Sequence, residues 1–162
     1  MTSWRVIDTN VLAVANGAHS LARESCVHAC IQALLEARQT GVLVDEGREI
    51  FDQYRRNASH SGQPGVGDAF WKWLWDNQAN ERVCIQVPLT WNAEDSNYAE
   101  FPADPELATF DRSDRVFVAV AIASGVDPDV LNASDTDWWI ARHALARHDV
   151  HVVFVCPELM HD

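Results

Sequence analysis

The chain has 162 residues, 48% of them apolar, which suits one domain (residues 1–162) around one core. Its formal net charge is −12, from 24 acidic and 12 basic side chains, and Lys72 is the single lysine. This balance excludes a protein that grips nucleic acid through a broad basic face, and no apolar run reaches the roughly 18 residues of a membrane span.

In chain order, residues 4–8 read as a strand and residues 10–16 as a short helix stopped by Gly17. Leu21, Cys26, Cys30, Ala33 and Leu34 recur at helical spacing, which predicts a helix over 21–38. Residues 41–45 ("GVLVD") form a second strand, and 46–57 a helix with Ile50, Phe51 and Tyr54 inward. Residues 59–67 are a loop by composition. Residues 68–77 read as a helix capped by Asp68, although the alternation of Trp71, Trp73 and Trp75 leaves a strand open. A short strand over 83–87 precedes a long acidic, irregular stretch, 88–105. A helix over 114–124, a strand over 130–133, a helix over 135–148 and a strand over 150–156 complete the chain. Strands separated by helices imply parallel pairing through right-handed crossovers, hence a three-layer α/β/α sandwich with a central parallel sheet.

Four cysteines and no CxxC pair suggest buried free thiols. Cys26, His28 and Cys30 lack the second ligand pair that structural zinc sites use. The N-terminal residues lack the basic and apolar regions of a secretory signal, so a cytoplasmic protein without a membrane partner is expected.

In parallel sheets, ligands bind outside the carboxyl ends of the strands. Acids recur there: Asp8 after the first strand, Asp45, Glu46 and Glu49 after the second, and Asp135 and Asp137 after "VLNA". Asp114 opens a further helix. Any one of them can be an ordinary helix cap, and Asp111 with Asp114 resembles a capping box. Capping does not explain an acid at nearly every such junction, or "DTDWW". Converging carboxylates repel one another, and that repulsion favours a divalent cation.

The segments "VIDTNVLA", "SDRVFVAVAIASG" and "VLNASDTDWW", in this order, resemble the acidic signatures of PIN-domain nucleases. The resemblance covers nearly the whole chain and is weak over 59–105. It implies a PIN-like fold, acids that bind Mg²⁺ or Mn²⁺, and endoribonuclease activity on single-stranded RNA. Carried over by position, Asp8, Asp114 and Asp135 are metal ligands, with Asp137 as a second after "VLNA" and Asn10 orienting Asp8. For the fourth acid Asp45, Glu49 and Asp52 compete. Asp45 and Glu49 are favoured, and Gln53 shares a face with Glu49, so a charge is lost if Gln53 holds the family's glutamate position. Many small PIN proteins are toxins paired with an antitoxin, so the partners implied are RNA and an antitoxin or other protein.

Carboxylate-bound Mg²⁺ can lower the pKa of a bound water and clamp phosphate oxygens, so no histidine is required as base. Arg48, Arg55, Arg56, Arg112 and Arg115 lie near the acidic edge in sequence and can meet phosphates, or be solvated helix charges. The tryptophans can stack on bases, but core packing or a homodimer contact is their commoner role. An aspartyl phosphatase would want a second Asp where Asn10 stands, and no GxxxxGK[ST] loop occurs. The non-enzyme alternative is a degenerate PIN fold that binds nucleic acid or protein without cutting it.

Overall fold

Five short parallel strands form the centre of the molecule: β1 (Arg5–Ile7), β2 (Val42–Asp45), β3 (Cys84–Val87), β6 (Asp129–Asn132) and β7 (His151–Phe154). The computed structural model describes residues 4–17 and 24–161. The sheet order is β3-β2-β1-β6-β7, with Val6 opposite Val130 and Ile7 opposite Leu131. Helices flank this sheet as a three-layer α/β/α sandwich: α1 (Thr9–Ala15), α2 (Glu24–Thr40), α3 (Glu49–Asn57), α4 (Val66–Asn77), α5 (Arg115–Ala123) and α6 (Thr136–Ala146). Val6, Ile7, Val42, Leu43 and Val44 are fully or almost fully buried. Such continuous apolar strands are what a sheet covered on both faces requires. No described helix is long and apolar enough to cross a membrane.

From β1 the chain builds the sheet to one side through β2 and β3, and later to the other through β6 and β7. The crevice between the carboxyl ends of β1 and β6 is therefore the topological switch point, where open α/β sheets hold ligands. Asp8 leaves β1 at that point, its backbone N–H bonded to Leu131 O at 2.9 Å.

Two glycines set close approaches. Gly41 (φ +102°) precedes β2, and a Cβ there would stand 2.4 Å from the Trp4 ring. Gly67 lets α4 lie against α1, since a Cβ there would meet Leu12 O at 2.2 Å.

Several sequence expectations need correction. The helix placed over 21–38 continues to Thr40; it is seen from Glu24 on, and residues 21–23 lie outside the described residues. Asp68 is not the cap of α4. Gly65 takes that position, and Asp68, three residues on, accepts the Gly65 N–H at 2.9 Å. The tryptophans of this segment are helical: Trp71 is buried, Trp73 half-buried and Trp75 exposed. The irregular stretch contains a small antiparallel hairpin, β4 (Trp91–Asn92) with β5 (Asn97–Tyr98).

The free-thiol expectation fails for two of four cysteines. Cys26 and Cys156 form a disulfide, with Cα atoms 5.3 Å apart and a sequence separation of 130. The fold brings the first turns of α2 beside the end of β7, a proximity that spacing does not reveal. Cys30 and Cys84 are buried free thiols, and burial pushes them up to about 12 and about 11 respectively.

Candidate functional site

Asp8 is the centre of the acidic crevice. It is 4% exposed, and its backbone extends before the first turn of α1, so its Oδ2 accepts the Asn10 N–H at 3.1 Å. The ordinary capping role is therefore real, but it uses one oxygen only. Oδ1 is buried with no hydrogen-bond partner. A buried carboxylate oxygen without a donor is costly, and such atoms mark sites where a ligand supplies what the protein withholds.

Burial raises the Asp8 pKa well above the usual carboxylate range, and Asp114 adds to the rise. The Asn10 N–H opposes it, and Asp135 and Asp111 raise it further. Asp114 is pushed up to about 7, first by burial, then by Asp111 and Asp135. The buried Trp138 indole N–H lowers it in part, although it makes no hydrogen bond of ordinary geometry. Asp114 opens α5 without making a side-chain cap bond. Asp135 is also raised by burial, against the N–H of Asp137, whose 2.8 Å bond to Oδ1 makes Asp135 the cap of α6. Asp137 and Asp111 are exposed at the rim, and both add to the potential at Asp135. Asp111 itself is lowered, by the Ser113 hydroxyl and then its N–H. Three distant segments thus deliver carboxylates that resist ionising together.

Asn10 orients Asp8 through its backbone, while its side chain does something else. Its Oδ1 accepts the Ala133 N–H at 3.1 Å, and its Nδ2 donates to Asn132 Oδ1 at 3.4 Å. Asn132 Oδ1 in turn accepts the Asp135 N–H at 2.8 Å. Asn132 is fully buried, and it joins the Asp8 turn to the Asp135 turn. The sequence reading passed over it. Its one signal was a polar residue closing an otherwise apolar strand.

The acids after β2 are placed differently. Both oxygens of Asp45 cap α3, accepting Glu49 N–H at 2.9 Å and Ile50 N–H at 2.8 Å. Asp52 pairs with Arg55 at 2.7 Å. Glu49 lies 3.8 Å from Arg56 and accepts from Gln53 Nε2 at 3.3 Å. The α3 side chain that reaches between the other two segments is Gln53. It is 8% exposed, donates to Ser113 O at 2.7 Å and accepts from the Thr9 hydroxyl at 3.5 Å. Asp8 follows directly before Thr9, and Asp114 directly after Ser113, so an uncharged amide occupies this side of the crevice. Tyr54, one residue on, is buried and donates its phenol to Ile7 O, which fixes the backbone ahead of Asp8.

The arginines near this edge have intramolecular duties. Arg115 is buried and donates to Phe110 O and Ala108 O. Arg112 bonds Ser96 O at 2.8 Å, and Arg48 lies over the Phe51 and Trp75 rings. Beside the acids runs a groove of about 520 Å³, bordered by Phe110, Asp111, Asp137 and Ile140.

The donor set of hard carboxylate oxygens fits Mg²⁺ or Mn²⁺ rather than a soft metal, and Asp8 Oδ1 is an unsatisfied ligand atom of the right kind. The acids are spread more widely than a closed metal cage. Among the described residues, only Cys26, Cys30 and Cys156 bring three candidate ligand atoms within 4.8 Å of one another. Compared with known proteins, the chain matches no family model, and it is significantly similar to no curated protein and no solved structure.

Proposed function

We propose that this protein is a PIN-like, Mg²⁺- or Mn²⁺-dependent endoribonuclease of the cytoplasm that hydrolyses single-stranded RNA, as the toxin of a toxin–antitoxin pair. The observation that carries this reading is Asp8: a buried carboxylate at the switch point, one oxygen fixed by Asn10 N–H and the other unpartnered, facing the fields of Asp114 and Asp135. Asp8, Asp114 and Asp135 would hold the cation, which when bound activates water and neutralises phosphate charge. Asn132 and Asn10 fix the two turns that present Asp8 and Asp135. Asp114, with its pKa near neutrality, can carry a proton at physiological pH and release it when charge is neutralised nearby. Ile140, exposed on the groove beside Asp137, offers an apolar contact for an unpaired base.

One observation favours a second reading, a PIN fold that binds without cutting: Gln53 stands where a further acid would complete the crevice. Thermal melts and cleavage separate the two. For the nuclease, Mn²⁺ at about a hundred times its Kd should raise Tm by roughly 5–10 °C. A panel of single-stranded RNA and DNA is then incubated with wild type, Asp8→Asn and Asp114→Asn, in Mg²⁺, Mn²⁺ or EDTA. Metal-dependent cutting of RNA by wild type alone supports the proposal. Cutting that survives either substitution, or wild type that neither melts higher nor cuts, overturns it.

A further inference from the structure

The disulfide leaves a third sulfur unexplained. Cys26 and Cys30 lie one helical turn apart on α2, both buried, and Cys156 follows β7. All three sulfurs fall within 4.8 Å of one another, although a disulfide needs two. In reducing compartments disulfides are rare, and clustered cysteines there more often bind metal. Cys156 Sγ lies 3.6 Å from Cys26 O, so the reduced thiol also finds an acceptor.

We propose that reduction of Cys26–Cys156 converts this cluster into a thiolate site for Zn²⁺, separate from the acidic crevice. Two thiols of a glutathione-like or dithiol reductant give two electrons and two protons to the disulfide. They leave as their own disulfide and free Cys26 and Cys156. Zn²⁺ then displaces the protons of the three thiols, which depart to solvent. Tetrahedral zinc with Zn–S of about 2.3 Å holds its sulfurs about 3.8 Å apart. The pair must therefore open and Cys30 close in slightly, movements that side-chain rotation can supply. Glu158, exposed on the turn after Cys156, lies outside the three-sulfur cluster, so the fourth position is left to a solvent molecule. The helical pair spaced C-x₃-C also falls within the spacing that structural zinc sites use. The disulfide and the metal exclude each other, so the oxidised chain has no such site.

Cobalt tests this, because thiolate ligands give Co²⁺ an intense near-ultraviolet charge-transfer band that carboxylates do not. Protein reduced with a phosphine and desalted without oxygen should develop the band with Co²⁺ and lose it on adding Zn²⁺. The unreduced protein should show none. Cys30→Ser should remove the band and Cys84→Ser should keep it. Independently of any variant, Zn²⁺ should slow alkylation of Cys26, Cys30 and Cys156 in reduced wild type severalfold and leave Cys84 unchanged. No band in the reduced protein, a band that persists in Cys30→Ser, or equal alkylation rates with and without Zn²⁺ would overturn the proposal. If Cys30→Ser does not fold, the alkylation rates decide.

Discussion

The side-chain amide of Gln53 donates to the main-chain carbonyl of Ser113 across 2.7 Å. That bond ties α3 to the residue before Asp114, while Gln53 Oε1 takes the Thr9 hydroxyl beside Asp8. A neutral donor here holds together two segments whose carboxylates repel. Gln53→Glu removes the donor and adds a negative charge. The metal-free protein should lose about 1 kcal/mol, the usual net worth of one hydrogen bond, because the Ser113 acceptor is only partly buried. It should also gain more from Mn²⁺ than wild type does. Paired melts with EDTA and with Mn²⁺ check both; an unchanged Mn²⁺ increment would place Gln53 outside the ligand sphere.

The pH dependence has a definite sign. Asp114 titrates near 3.8 when unfolded and at about 7 when folded, raised mainly by burial. The folded state therefore holds the proton longer, and its stabilising effect is complete below the unfolded value and lost as pH rises towards 7. Without divalent cations, Asp114→Asn should melt close to wild type near pH 4 and above it at pH 8. Melts across that range would show the two curves diverging, and added Mn²⁺ should narrow the gap by stabilising wild type alone.

Asn132 is the joint between the two turns. Asn132→Ala strips the acceptor from the Asp135 N–H and a partner from Asn10. Urea unfolding should show a loss of about 1–3 kcal/mol. If the crevice is catalytic, kcat should fall further than the stability change explains, because Asp8 and Asp135 lose their common register.

Gly67→Ala tests the packing of α1 on α4. The new methyl would sit 2.2 Å from Leu12 O, which is backbone and cannot swing aside. A cost of about 1–3 kcal/mol is expected from overpacking, read as an earlier urea midpoint. Gly125→Ala would not serve as a control, because Gly125 has a φ of +70°.

Much of this architecture was readable because alternation of strand and helix leaves few topologies. Ile7 and Leu131 are buried apolar residues in adjacent parallel strands, and the acids that follow them had to share an edge. What periodicity could not resolve is which residue of α3 faces that edge. Glu49 and Gln53 share a helical face, and the outcome depends on where the Ser113 carbonyl stands after a long irregular segment. Asp45 was read as facing the crevice, yet the first turn of α3 occupies both of its oxygens. The Cys26–Cys156 pairing was hidden for another reason: a bridge across 130 residues depends on how two ends of the sheet meet, and no local spacing records that.

That bridge closes the backbone between Cys26 and Cys156 into a ring. β2, β3, β6 and β7 all lie within the ring, while β1 and Asp8 precede it. Among the described strands of this sheet, β1 alone lies outside the ring, and it sits between β2 and β6, which lie inside. In the oxidised chain the ring restricts the unfolded-state freedom of the segments that carry Asp114 and Asp135. Of the three carboxylates, Asp8 is the one whose segment lies outside the ring, and the bridge leaves its unfolded-state freedom unrestricted.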